Sequence, residues 1–383
     1  MSTRAHEHTS KRTLIIGAGP SGLAIAARLA DAGLPFVVLE QSDNIASKWH
    51  QHYDRLHLHT VKQMSSLPFV DFPEHYPQYV SRAELLDYYE NYAKKFNINP
   101  HFNCKVIAVQ KIDNHWQVRC ENGEVFEAEN VVVATGLNRI PKVPHWKGQE
   151  EYRGEIIHAS KYKNAKPFAG KKVLVVGMGN TGAEIALDLA ENQVETGISV
   201  HSEVVVVPRD FLGRSVQVTA QKLSKLPFHL GDLIGSLPAK LMFGDLRKYN
   251  IPVSKIKPAV LRRVHGKTPT FDLGTIAQIK SGNITVHRDI EALSSEGVHF
   301  KNGSTVNYEA IILATGYYAQ LQDFLPNNNK LLDTNGEPNI KHGHNEQKGL
   351  YFIGFEKFTL GGVLGTLPEE SAAILNKVLS SKF

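Results

Sequence analysis

Residues 14–29, LIIGAGPSGLAIAARL, constrain this chain more than any other stretch. An apolar strand runs straight into Gly17-Ala18-Gly19-Pro20-Ser21-Gly22, and a helix-forming run follows at once. Each glycine has a physical reason. Gly17 makes the tight turn, Gly19 lets a pyrophosphate approach the backbone, and Gly22 lets the helix pack closely on the strand. The unpaired N–H groups and positive dipole end of a helix starting at Pro20 and Ser21 attract phosphate. A second strand, 36–39, ends on Glu40 and Gln41. An acidic side chain at a strand tip about 20 residues beyond the glycines suits the two hydroxyls of an adenosine ribose.

The pattern then repeats. Alternating runs at 106–110, 116–119 and 125–128, with Asn122-Gly123 as a hairpin turn, predict a meander that ends in the buried strand and turn VVVATG at 131–136. Residues 172–189, KVLVVGMGNTGAEIALDL, restart the fingerprint with Gly177, Gly179 and Gly182 around Asn180 and Thr181. A short strand follows at 198–200, then strand-like runs at 284–300 and 305–308 turning at Asn302-Gly303, then IILATG at 311–316. Thr135-Gly136 and Ala314-Thr315-Gly316 are expected to bring backbone close to a ligand. The fold predicted is α/β, with two nested Rossmann-like dinucleotide-binding domains, each with a β-meander. Residues 1–165 and 305–383 form an FAD-binding domain, closed by the 349–355 strand with Gly354 and by a helix from about 369 to 379; residues 166–304 form an NADPH-binding domain. Glu40 repels a 2′-phosphate and suits FAD. The second strand tip carries His201 and Ser202, with Arg209 downstream, and a neutral or cationic tip tolerates the 2′-phosphate of NADPH; Glu203 beside it weakens that preference over NADH. Two dinucleotides in one chain imply an electron relay from a reversibly bound nicotinamide to a resident flavin.

With 383 residues, 42% apolar and 21% charged, the chain can bury two large cores. Its net charge of +5 is scattered, which points to small anionic molecules and away from nucleic acid. Residues 1–12 read as a polar arm without the apolar core of a signal peptide, and no run reaches the roughly 18 apolar residues of a transmembrane segment. Residues 223–243 suggest an amphipathic helix packed on the body or resting on a membrane. Cys104 and Cys120 stand in strand-like runs with no C-x-x-C, so two free core thiols and a cytoplasmic location are expected. The 18 histidines show no metal-ligand spacing, so no metal is expected. A homodimer is compatible with the sequence. A helix over 82–96 starts in a capping box of Ser81 and Glu84. Residues 46–73, aperiodic and rich in aromatics, His and Pro, read as an ordered loop over a ligand; they hold Trp49, Arg55, His59 and Lys62.

Between the modules, Tyr152, Gly154, His158 and Tyr162 follow the F-x-G-x-x-x-H-x-x-x-[FWY] pattern of class B flavoprotein monooxygenases, with Tyr152 in place of the usual Phe. Within that class the chain resembles the YUCCA flavin monooxygenases over nearly its whole length, notably in YDRLHLH at 53–59, Lys62-Gln63, Leu67-Pro68-Phe69, GNTG at 179–182 with Glu184-Ile185, FGDL at 243–246, DLGT at 272–275 and ATGY at 314–317. The resemblance implies an NADPH- and O2-dependent enzyme with a C4a-(hydro)peroxyflavin as oxidant, converting a 2-keto acid such as indole-3-pyruvate to indole-3-acetate. His201 stands where that family usually has Arg, and the 358–368 tail diverges. His59 favours the YUCCA side, because the amine- and sulfide-oxygenating branch typically has Asn there. Trp49 and His59 are expected against the flavin, and Arg55 and Lys62 as partners for a substrate carboxylate. The alternatives are N- or S-oxygenation of a small amine or sulfide, Baeyer-Villiger oxidation of a ketone, an FAD/NADPH disulfide-type reductase, and a flavin-binding sensor without turnover.

Overall fold

The computed structural model describes residues 13–223, 238–258, 260–261, 268–325, 331–339, 347–357, 359 and 361–380. The first fingerprint lies in a parallel sheet ordered Phe36–Leu39, Thr13–Ile16, Asn130–Val133, Leu350–Phe352. Thr13–Ile16 and Asn130–Val133 are buried throughout, as parallel strands covered on both faces must be. Ile16 pairs with Leu39 on one side and Val133 on the other. The strands therefore end level, and Gly17, Glu40 and residues 134–136 emerge at one edge. Helix Pro20–Asp31 covers this sheet and packs on the closing helix Gly362–Ser380.

The second sheet is also parallel, ordered Ile284–His287, Glu195–Ser199, Lys172–Val176, Ala310–Leu313, Glu155–His158. Its last four strands reproduce the order of the first sheet, and helix Asn180–Glu191 stands where Pro20–Asp31 stands in the first module. Glu155–His158 and Ala310–Leu313, which lie outside 166–304, pair in this sheet as well. The physical reason is the chain path. The ATG strand returns from its meander into the middle of the sheet, and the strand before the second fingerprint seals the edge beside it.

Antiparallel meanders flank both sheets. The first comprises Val106–Ile112, His115–Cys120 and Val125–Ala128, turning at Asn122-Gly123, where Gly123 has a φ of +89°. In the second, Ile290–Ser294, Gly297–Phe300 and Thr305–Val306 pair, whereas Ile284–His287 leaves the expected meander for the parallel sheet. The expectation of two free thiols is corrected by this architecture. Register in the first meander sets Val106 opposite Cys120, which brings Cys104 alongside, and Cys104 and Cys120 form a disulfide with Cα atoms 5.5 Å apart.

Helix Arg82–Lys95 begins in the expected capping box: Glu84 N–H donates to Ser81 Oγ at 3.3 Å, and the Glu84 carboxylate accepts from Ser81 N–H at 2.9 Å. The ordered loop carries a short helix Ser47–Gln51 and a 3-10 turn Lys62–Met64. The closing helix starts at Gly362, earlier than the expected 369, and runs through Pro368. Residues 1–12 and 224–237, with the expected arm and most of the expected amphipathic helix, lie outside the described residues. Residues 238–243 are helical and expose Leu241 and Met242. Among the described residues no helix is long and apolar enough to cross a membrane.

Candidate active site

A cavity of about 570 Å³ opens at the edge of the first sheet, a size suited to a bound organic ligand. Its floor is the first fingerprint. Gly17 holds a φ of +109°, and a Cβ there would meet the Ala134 carbonyl oxygen at 2.9 Å. At Gly22 a Cβ would collide with the Gly17 carbonyl, whereas at Gly19 it would meet nothing within 4 Å. Gly19 is thus the open position facing the cavity, as Pro20 and Ser21 do beside it. It caps helix Pro20–Asp31 without any side-chain hydrogen bond, so the first N–H groups of a 12-residue helix stay available to an anion. Gly354 also lines the cavity; its N–H donates to Glu370 at 2.9 Å and a Cβ there would strike Ser21.

Glu40 lines the wall in a buried position, and its carboxylate accepts from Ala18 N–H at 2.8 Å, Ser42 N–H at 3.0 Å and Ser42 Oγ at 2.7 Å. A carboxylate has about four acceptor positions, so one remains for a hydroxyl. Gln41, Trp49, Thr135 and Gly136 line the same cavity. Two buried polar atoms on its wall, Thr135 Oγ1 and His59 Nδ1, have no hydrogen-bond partner among the described residues. Buried polar atoms are rarely left so. Two orphans, the bare helix end, the open Gly19 and the fixed Glu40 fit a dinucleotide.

The second fingerprint repeats this geometry. Gly177 has a φ of +107°, Gly182 would carry its Cβ into the Gly177 carbonyl, and Gly179 is open. Asn180 lines the shared cavity, and its Oδ1 accepts from Phe271 N–H at 2.7 Å. Ala314-Thr315-Gly316 lie beside the turn: the Ala314 carbonyl backs Gly177, and Thr315 Oγ1 donates to the Lys142 carbonyl. The strand tip is less simple. His201, 79% exposed, pairs with Asp289 at 2.6 Å, Ser202 is exposed, and Arg209 lies over Tyr79 and pairs with Asp210. Although its partial burial acts the other way, His201 and Lys301 hold the Asp289 carboxyl below the usual range. No contact links His201 with Arg209 among the described residues.

The loop between the modules is sewn to helix Asn180–Glu191 by acids at 184, 188 and 191, one face of the helix. Tyr53 donates to buried Glu184 at 2.6 Å, with His59 Nε2 at 3.5 Å from the same oxygen. Burial, then Glu184, raises the Tyr53 phenol well above its ordinary range. Arg55 reaches Glu191 at 2.6 Å and Asp188 at 3.4 Å, and Tyr162 donates to Asp188 at 2.5 Å. His59 itself lines the cavity and stacks on Phe271, with ring centroids 5.9 Å apart. Arg55 and Lys62 do not line it. Lys62 donates to the carbonyls of Glu74 and Tyr76 at 2.7 and 2.6 Å, so its charge closes a loop.

The cavity cations are instead Lys48, Arg139 and Lys357, which sequence reasoning missed; Lys357 is paired with Glu337. Burial, then Arg139, lowers the Lys48 ammonium pKa. Arg139 pairs with Asp323 at 2.8 Å, whereas Lys48 has no carboxylate partner among the described residues and reaches only the Arg139 carbonyl at 3.4 Å. Lys48 was findable as the neighbour of Trp49 and Arg139 as the residue soon after VVVATG. His52, also on the wall, is pushed down to about 4 by burial and by Lys163, Lys48 and Arg82. His158 of the interdomain motif is buried, with Nε2 at 3.2 Å from the Gly316 carbonyl, and shapes the crossover between sheets.

A family model described as pyridine nucleotide-disulphide oxidoreductase matches residues 14–221. The chain is 40% identical to the indole-3-pyruvate monooxygenase YUCCA1 of Oryza sativa subsp. japonica over 92% of this chain and 88% of that protein. It is 38% identical to the indole-3-pyruvate monooxygenase YUCCA6 of Arabidopsis thaliana over 94% and 91%. Among solved structures, a flavin-containing monooxygenase from Stenotrophomonas maltophilia superposes with a TM-score of 0.73 at 20% identity, covering 97% of this chain and all of that one, 100%. The bacillithiol disulfide reductase of Bacillus cereus gives 0.71 at 18% identity over 97% and 100%. At such identities the likeness is one of fold, and the fold serves oxygenation and disulfide chemistry alike.

Proposed function

The chain belongs to the YUCCA family of flavin monooxygenases, NADPH-dependent enzymes with FAD, and on that premise we propose that it oxidatively decarboxylates a 2-keto acid of the indole-3-pyruvate type to the acid one carbon shorter. The observation that carries the reading is the near full-length identity of 40% to an indole-3-pyruvate monooxygenase, together with His59 and Asn180 converging on one cavity. The balance is one keto acid, one O2, one NADPH and one proton giving the shortened acid, CO2, water and NADP⁺. Bound FAD, reduced by NADPH, would supply the oxygen-activating chemistry.

The residues divide the work. Gly19, Ser21 and the start of helix Pro20–Asp31 would hold the FAD phosphates, and Glu40 its adenosine ribose. Gly177, Gly179, Thr181 and Gly182 would do the same for the phosphates of NADPH. His201 is the basic group at the second strand tip, and Asp289, paired with it, would swing aside for a 2′-phosphate. His59, with one ring nitrogen facing Glu184 and the other unpartnered in the wall, would hydrogen-bond the reacting groups. Lys48 would meet the substrate carboxylate in a setting partly stripped of water, where a charge-assisted bond is strong. The Cys104–Cys120 bridge stands beside Glu40, at the adenosine end of the cavity, which favours oxygenation over disulfide exchange at the flavin. The deciding experiment gives the purified yellow protein NADPH, O2 and indole-3-pyruvate. Indole-3-acetate formed in step with NADPH consumption supports the proposal. NADPH oxidation with no acetate, or preferred turnover of an amine, sulfide or ketone, sinks it.

A further inference from the structure

The disulfide of the first meander has two neighbours whose side chains are of metal-ligand type, His101 and Glu124. His101 Nε2 lies 2.8 Å from Glu124 Oε2, and one ligand atom each from His101, Cys104 and Glu124 lie within 4.8 Å of one another. Tetrahedral zinc, with bonds of about 2.0–2.3 Å to nitrogen, oxygen and sulfur, sets its ligand atoms roughly 3.3–3.8 Å apart, so small side-chain rotations would bring the set to size. We propose that, once the Cys104–Cys120 disulfide is reduced, His101, Cys104 and Glu124 form a zinc site, and that re-formation of the disulfide expels the ion.

The chemistry makes the two states exclusive. A disulfide sulfur is neutral and occupied, whereas the thiolate is the metal ligand. A dithiol reductant gives two electrons and two protons to the bridge, leaving thiols at Cys104 and Cys120 and becoming a cyclic disulfide itself. Zinc then displaces the proton of the Cys104 thiol. Exchange with an oxidised disulfide reverses both steps and returns Zn²⁺ to solution. Access is one-sided. Cys104 is 1% exposed, while His101 and Glu124 stand in solvent and offer the entry path. The set is backed by fixed groups: Asn122 Nδ2 donates to Glu124 at 2.8 Å, and the His101 ring meets the edge of Phe126.

The ligands also hang on the strand tip that carries Glu40. His101 N–H donates to the Val38 carbonyl at 2.7 Å, Glu40 N–H to the His101 carbonyl at 3.0 Å, and Cys104 N–H to the Glu40 carbonyl at 2.9 Å. The site would therefore report thiol status at the wall of the dinucleotide cavity, which Cys104 itself lines.

The test titrates zinc into FAD-loaded, metal-free protein against a chromophoric chelator, before and after reduction with dithiothreitol and its anaerobic removal. Oxidised wild type should bind no zinc at the chelator's affinity, and reduced wild type one ion per chain. Cys120→Ser frees the Cys104 thiol permanently and should bind one ion without reductant. Cys104→Ser should bind none in either condition, and both variants lack the bridge equally, so loss of the crosslink cancels between them. His101→Ala and Glu124→Gln in the reduced wild-type background should each weaken binding at least tenfold. Equal zinc affinity in Cys120→Ser and Cys104→Ser, equal uptake by oxidised and reduced wild type, or reduced His101→Ala binding as tightly as wild type overturns the proposal.

Discussion

Glu184 is a buried carboxylate with Tyr53 and His59 as partners from the other module. A hydrogen bond to a charged group contributes about 1.5–3 kcal/mol, and a buried carboxylate deprived of its donor loses most of that. Tyr53→Phe is therefore expected to lower the urea midpoint by an amount equivalent to about 1.5–3 kcal/mol while leaving flavin content unchanged; a midpoint within error of wild type would refute the coupling. Arg55 shows how far a residue type can mislead. Its sequence neighbourhood of aromatics and histidines suits a substrate clamp, but the helical spacing of Asp188 and Glu191 on a distant segment captures it. Arg55→Met should change the KM for the keto acid less than twofold and stability by no more than about 1 kcal/mol, the range of exposed ion pairs. Lys48→Met should raise that KM at least tenfold with flavin retained. The reverse ranking in steady-state kinetics would return the clamp to Arg55.

At the scale of elements, the two fingerprints were legible because each glycine answers to a local collision. Gly22→Ala would gain about 1 kcal/mol of helix propensity, yet its Cβ would enter the Gly17 carbonyl, and backbone shifts of that kind cost about 1–3 kcal/mol or more. The collision wins, so Gly22→Ala should lower both the thermal midpoint and the flavin content. Gly19→Ala meets open space at a φ of −77°, which any residue adopts, so the apoprotein should unfold as wild type does while FAD retention falls. Equal thermal loss in the two variants would show that Gly19 packs like Gly22. The strands, the capping box and the Asn122-Gly123 turn were readable for the same reason: propensity and period are properties of a few neighbouring residues. Pairing was not. Cys104 meets Cys120 through the register of two strands, and Glu155–His158 joins the second sheet through a partner far along the chain, Ala310–Leu313. Neither is written in local composition. The closing helix erred in the opposite sense: expected from about 369, it starts at Gly362 and carries Pro368 inside it, whose carbonyl accepts from Arg28.

For the whole molecule, burial keeps several histidines neutral: His52 is pushed down to about 4, and His158 and His287 also lie below the ordinary value. The unfolded chain binds protons that these rings refuse when folded, so stability rises with pH between about 4 and 6.5 and is complete above that window. The urea midpoint should therefore fall from pH 7 to pH 5, with His52 alone accounting for at most about 2 kcal/mol of the change at pH 5. His52→Asn should flatten the profile; an unaltered slope would mean the ring titrates normally. The strip of acids on helix Asn180–Glu191 bears on motion at this same scale. Each buried hydrogen bond to a carboxylate contributes about 1.5–3 kcal/mol, so Glu184 with Tyr53 and Asp188 with Tyr162 would resist parting when the modules move. Any swing between them must turn about that helix as a hinge pin. A swing about that pin would leave the contacts inside the first module intact, Lys48 with the Arg139 carbonyl and Tyr317–Tyr318 with Ile140–Pro141, so the wall of the flavin cavity would keep its shape while the modules turn.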